Sequence, residues 1–303
     1  MFKQILERVP KARTYGGIAF LVILIAVEVY ATCLIPEWRK LFYGVLERKA
    51  SGELAGALQF FLGVICMLIV SQGLKLYVGR TTALGIRTGI TKLLLKSWVK
   101  GGLNQKVDNP AQRINEDCHL ATDFFVRIGI ELIISTAIVI ITMWGARHNS
   151  AILIAASAYT VVICAVALIF KKPLISKEIS LQRAEADHRH ALSKMAIGAG
   201  DFTAKGHYEN IKASTIKYLR VLLGYNIFSS TQNSLSILVP FAILSVPYFK
   251  GEINLGEFMG GVSMFELIVV NSTVLVTLFP EATKAQASWI RIKEFYKSVK
   301  EER

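Results

Sequence analysis

The chain has 303 residues, 53% of them hydrophobic, with a mean hydropathy of +0.45 and a formal net charge of +13. A soluble domain of this length would not carry several runs of about 20 apolar residues, so that class is excluded. Nucleic-acid binding is excluded as well, because no basic segment is interleaved with base-stacking aromatics; membrane proteins collect Lys and Arg in their cytoplasmic loops.

The N-terminus carries Lys3, Arg8, Lys11 and Arg13 ahead of an apolar run over 16–35. A signal-peptide core runs about 7–15 residues, and this one is longer, so a retained transmembrane helix is expected. Further apolar stretches follow at 54–74, 124–144, 151–170, 226–249 and 258–280. Each crosses a roughly 30 Å hydrocarbon core as a helix rising about 1.5 Å per residue. The predicted fold is an all-α polytopic membrane protein with six transmembrane helices, read as one domain over 1–303.

The connectors differ in length and charge. Those at 36–53, 145–150 and 250–257 are short and hold Arg39, Lys40, Arg48, Lys49, Arg147 and Lys250. The N-terminus, 75–123, 171–225 and the C-terminus hold about 28 of the 35 basic residues, which predicts both termini on the cytoplasmic side. The two long basic connectors lack loop composition; Gly101-Gly102 and Pro173 are their main breakers. They are predicted as helical arms continuing out of the membrane. Residues 284–300 form a basic amphipathic helix, expected on the membrane surface or against the inner arms.

Three glutamates fall inside apolar stretches: Glu28, Glu131 and Glu266. A carboxylate at a helix centre costs roughly 2.5–3.5 kcal/mol on insertion scales, so these side chains are expected to face the bundle interior or a wet cavity. Glu131 follows Arg127 by four residues, and a salt bridge between the two is the alternative to a cavity role. Glu28 and Glu266 have no basic residue within a turn on their own helices; desolvation favours taking up a proton, which suits a coupling site. The fifth stretch carries Asn226, Ser229, Ser230, Asn233 and Ser236 on one face. That face serves either interhelical hydrogen bonding or a polar cavity wall.

Other chemistry is absent from the pattern. Cys33, Cys66, Cys118 and Cys164 form no C-x-x-C pair and read as free buried thiols. The five histidines show no metal-ligand spacing, so no metal site is predicted. No G-x-x-x-x-G-K-[ST] phosphate loop occurs, so no ATP site and no ATPase activity are expected of these 303 residues.

Four segments carry a family resemblance. VDNPAQRINEDC (107–118) resembles the N-P-x-Q-R-I-x-E-D segment of the SbmA/BacA peptide transporters and of their relatives, the peroxisomal fatty-acyl transporter halves. Its residues here are Asn109, Pro110, Gln112, Arg113, Glu116 and Asp117. ISLQRAEADHRHALSKM (179–195) is similar to a second family segment through Arg183, Glu185 and Arg189. FKGEINLGEFMGGVSMF (249–265) and AVEVYATCLIPEWRKLFYGVL (26–46) resemble the turn into the last helix and the first helix with the segment after it. The matches span about 26–300 in order. Relatives with a fused ATPase have a Glu-x-I-A-F-like segment where this chain reads GDFTAKG (200–206), which puts Asp201 at the acidic position.

The resemblance implies the transmembrane domain of an ABC exporter, a homodimer embedded in lipid, and a cavity on the two-fold axis. It implies a bacterial inner-membrane transporter of peptides or peptide-like antibiotics, with protons as the coupling ion and Glu28, Glu266 and Glu131 along the cavity. The alternative is a permease subunit paired with a separate ATPase, for which the turns at 107–111 and 198–206 would be the docking elements. A further alternative is a membrane scaffold or sensor without transport.

Overall fold

The computed structural model describes residues 11–100, 110–196 and 204–301. Among these residues the chain is helical apart from short turns, with no strand. The long helices are α1 (Lys11–Glu47), α2 (Ser51–Lys100), α3 (Cys118–Gly145), α4 (Ser150–Ala196), α5 (Ala204–Phe249), α6 (Leu255–Thr277) and α7 (Phe279–Glu301). A helical turn at Pro110–Gln112 and a π-helical turn at Arg113–Asp117 lead into α3.

Among the described residues, five helices are long and apolar enough to cross a membrane, those covering the first five predicted stretches. The sixth stretch is also helical, in the 23-residue α6. Glu266 and Asn271 stand within its apolar run. Its position explains how they are tolerated: α6 packs against α1, α3, α4 and α5 and buries Phe265, Ile268 and Val269. A central helix meets protein on most sides, and protein can satisfy polar groups that lipid cannot.

Helix α2 runs 50 residues, about 75 Å at 1.5 Å per residue, so span and arm are one rod. Helix α4 does the same over 47 residues, through Pro173. The first connector expected at 36–53 is mostly helix. Chain folding continues α1 through a buried Pro36 to Glu47, and only residues 48–50 form the turn.

That turn ends α1 with Lys49 in the left-handed region, at φ 53°. The Lys49 N–H donates to the Leu46 carbonyl at 3.1 Å and the Ala50 N–H to Val45 at 3.1 Å, the bond pair of a Schellman motif. Helix α5 ends in the same motif with Gly251 at φ 73°. Helix α6 then starts on a capping box: Asn254 Oδ1 accepts from the Glu257 N–H at 2.8 Å, and Glu257 Oε2 accepts from the Asn254 N–H at 3.1 Å. Glu47 of α1 also accepts from the Leu255 N–H at 2.8 Å, tying the two turns together.

The amphipathic C-terminal segment docks on protein. In α7, Ile292 and Phe295 are buried against Ile90, Leu93 and Leu94 of α2 and Cys118 and Ala121 of α3. Of the four thiols, Cys118 is buried, Cys33 and Cys164 are half-buried and Cys66 is exposed, so the expectation of four buried thiols is corrected at Cys66. Its side chain lies on an outward face of α2, where a small apolar group is equally at home against lipid.

Candidate functional site

One cavity of about 680 Å³ opens between α1, α2 and α3. On α2 its wall is Gln72, Lys75, Gly79, Arg80 and Ala83; on α3 it is Asp123, Val126, Arg127, Ile130 and Glu131. Both sets recur at three- and four-residue intervals, the spacing that puts side chains on one helix face. Glu28 is contributed by α1.

Three of these groups share charge. Lys75 Nζ donates to Glu28 Oε1 at 2.9 Å and lies 2.7 Å from Oε2. The same nitrogen is 3.6 Å from Glu131 Oε1. Glu28 is 7% exposed, while the Glu131 side chain is 37% exposed toward the cavity. One ammonium thus serves two carboxylates, one deep and one open. Arg127, which sequence spacing assigned to Glu131, instead pairs with Glu281 at the start of α7. Helical spacing places Arg127 and Glu131 on one face but does not decide which neighbouring helix comes closer.

Glu266 lies outside this cavity. Arg39 Nη1 of α1 donates to its Oε2 at 3.0 Å, with both side chains about 30% exposed or less. Arg39 reaches it because α1 extends past Pro36. Close helix contact brings the backbones together there: a Cβ at Gly260 would lie 3.2 Å from Lys40 Cβ, and one at Gly256 would run into the Lys40 carbonyl oxygen. Glycines four residues apart permit such an approach.

A second cavity of about 300 Å³ adjoins the first, sharing Arg80, Ala83 and Asp123 and adding Arg87, His119 and Thr122. A third, of about 290 Å³, lies between α3 and α6 and is lined by Ser135 and Asn271 among others. On α5, Asn226, Ser230 and Asn233 are exposed and Ser229 is half-buried, and none of them lines the three cavities.

The first family segment builds a clamp. Asp117 is 2% exposed and accepts two hydrogen bonds from Arg291 of α7, from Nε at 3.0 Å and Nη2 at 2.6 Å. Arg113 Nη1 donates to the Arg291 carbonyl at 3.3 Å. Glu116 is exposed and Pro110 half-buried. Asn109 and Asp201 lie outside the described residues, as does the side chain of Gln112. Arg183, Glu185 and Arg189 of the second segment are exposed along α4.

Sequence reading missed Lys75, Arg39 and Arg291 as partners. Lys75 was counted as the first residue of a basic arm and Arg39 as part of a short connector, so both charges were assigned to water. The usable signal was that each lies within a few residues of an apolar stretch holding, or neighbouring, an unpaired glutamate.

Comparison with known proteins supplies the family. Residues 8–199, more than half of the chain, match the family described as ABC transporter transmembrane region 2. The chain is 22% identical over 277 residues to "ABC transporter D family member 2, chloroplastic" of Arabidopsis thaliana, an alignment covering 84% of this chain and 38% of that protein. The chain therefore spans less than half the length of that curated relative. With five membrane-length apolar helices and the family match over residues 8–199, the chain belongs to the ABC transporter transmembrane region 2 family and is an all-α membrane domain of a transporter.

Proposed function

We propose that this chain is a proton-driven importer of peptides or peptide-like antibiotics, of the SbmA/BacA kind, acting as a homodimer in a bacterial inner membrane. The observation that carries the reading is the shared ammonium: buried Glu28 and open Glu131 both face Lys75 at the wall of a large cavity. Two carboxylates beside one ammonium leave one negative charge in excess, and one added proton balances the trio. Ionic groups at membrane depth are costly, so gain or loss of that proton biases the exchange between outward- and inward-open states. Glu266 offers a second proton-accepting carboxylate, with Arg39 as its counter-ion.

A homodimer is supported by the α4–α5 hairpin, which packs on itself and on α6. It leaves Ile154, Val161, Ile169, Ile227 and Leu238 exposed for lipid and a second copy. Six helices from each copy would surround a cavity on the two-fold axis.

The test is uptake of a labelled peptide into proteoliposomes holding this protein alone, with an imposed pH gradient and no ATP. Uptake is expected to follow the gradient and to collapse with a protonophore. Glu28→Gln is expected to abolish it while the dimer stays folded; normal uptake by both Glu28→Gln and Glu266→Gln would remove the proton sites.

A second reading has its own observation, the match to 38% of a protein named as an ABC transporter. In that reading an ATPase, on another chain or on the rest of a longer one, supplies the energy. ATP-dependent uptake that ignores the pH gradient, or a tightly co-purifying ATPase, would favour it.

A further inference from the structure

The charges around the main cavity are balanced in sign. Glu28, Glu131 and Asp123 face it, and so do Lys75, Arg80 and Arg127. The acidic residues alone would favour a cationic ligand, but three cationic groups arrive from α2 and α3 and cancel that preference. Four of the six are engaged: Lys75 holds Glu28 and Glu131, and Arg127 is held by Glu281.

The remaining two are a cation and an anion, Arg80 on α2 and Asp123 on α3. Both line the main cavity and also the adjoining one. Among the described residues they form no ion pair with each other or with any other group. His119 and Arg87 line the adjoining cavity too, but Arg87 Nη2 is committed to Asn115 Oδ1 at 2.7 Å. Opposite charges left apart across a cavity are each solvated, and a ligand bearing both signs can replace that water on both sides at once. A guanidinium binds a carboxylate through two parallel hydrogen bonds. An ionised carboxylate only accepts and an ammonium only donates, so the two are matched in kind. Leu76, Val126 and Ile130 add an apolar part to the wall of the main cavity. The volume, about 680 Å³, is that of a small-ligand site.

We propose that this cavity binds zwitterions of the short-peptide type, with Arg80 taking the free carboxylate and Asp123 the free ammonium. The inference rests on the reading of the cavity as the substrate chamber and adds the ligand class to it: net-neutral molecules with both ends free.

The test is equilibrium binding to the purified full chain in nanodiscs, with no gradient and no ATP, so it is independent of the driving force. The probes are dialanine, N-acetyl-dialanine and dialanine amide. Dialanine is expected to bind saturably, and each capped form about tenfold or more weakly, because each loses one charge-assisted contact. Arg80→Gln is expected to bind dialanine and its amide alike, and Asp123→Asn to bind dialanine and its N-acetyl form alike. A misfolded variant would bind nothing, so this crossed pattern separates lost recognition from lost fold. Equal binding of free and capped peptides to the unaltered protein overturns the proposal, as does no saturable dialanine binding up to ~10 mM. Binding that holds while gradient-driven uptake fails would leave the site intact and remove only the proton coupling.

Discussion

Helix α1 takes part in two seams of opposite character. At one, Glu28 meets α2 and α3 across a cavity, and one lysine is divided between two carboxylates. At the other, about 16 Å further along the helix axis, Arg39 meets Glu266 of α6 one to one. There Gly256 and Gly260 let the two backbones close on each other. The first seam is open and divides one cation between two carboxylates; the second is close-packed and paired one to one. The difference teaches that intramembrane glutamates of the same sequence type do unlike jobs according to what the facing helix offers. A divided counter-ion can be redistributed, whereas a matched pair in a tight seam holds a fixed distance.

The strongest way to break this contrast is Lys75→Met. It leaves buried Glu28 without its counter-ion, which typically costs 3–5 kcal/mol. Thermal unfolding in detergent should show a large loss, and adding Glu28→Gln should recover most of it; no recovery would mean that Lys75 acts through something other than charge. Next is a pair of glycine substitutions. Gly256→Ala should destabilise by about 1–3 kcal/mol, because its Cβ meets the Lys40 backbone. Gly79→Ala, at the open seam, meets only Ile130 Cδ1 at 3.4 Å and should be neutral or stabilising by up to about 1 kcal/mol. The same sign for both would dissolve the distinction between tight and open packing. Replacing Arg39 and Glu266 together by Met and Leu should change stability by about 1 kcal/mol or less, since a matched pair can be exchanged for apolar groups at little cost. Loss of peptide uptake from that double variant is expected if Glu266 takes up a proton as proposed; unchanged uptake would leave the second seam a spacing role alone. The smallest effect is expected at the turn that closes the tight seam: Lys49→Gly should stabilise by roughly 0.5–1 kcal/mol, because glycine adopts φ 53° without a Cβ conflict.

Most of the helical layout was legible because hydrophobic runs of membrane length leave few alternatives. The arms were legible for a different reason: 80–100 holds no proline, and its two glycines, Gly85 and Gly89, are isolated within a helical run that α2 continues straight through. What stayed hidden is lateral. Glu28 and Glu131 were visible as acids inside apolar stretches, but their common partner Lys75 lies 47 positions from Glu28 along the chain. The Arg127–Glu281 and Arg291–Asp117 pairs likewise need α7 folded back on α3, which periodicity within one helix cannot specify. The continuation of α1 beyond residue 35 was not legible because the apolar run ends there and charged residues such as Arg39 and Lys40 follow, although inside a membrane bundle the flanking helices hold the rod together through Pro36.

Pro36 sits between the two seams and has no N–H to give the Thr32 carbonyl behind it. The helix is therefore most easily bent at that point, with one end gripped by α6. A bend of about 5° there, acting over the eight residues back to Glu28, would move that carboxylate by ~1 Å. That is enough to lengthen one arm of the Glu28–Lys75–Glu131 bridge and shorten the other. Helix α1 thus has the layout of a needle on a pivot: a clamped base, a compliant joint, and a charged tip that reports which of two neighbours holds the lysine.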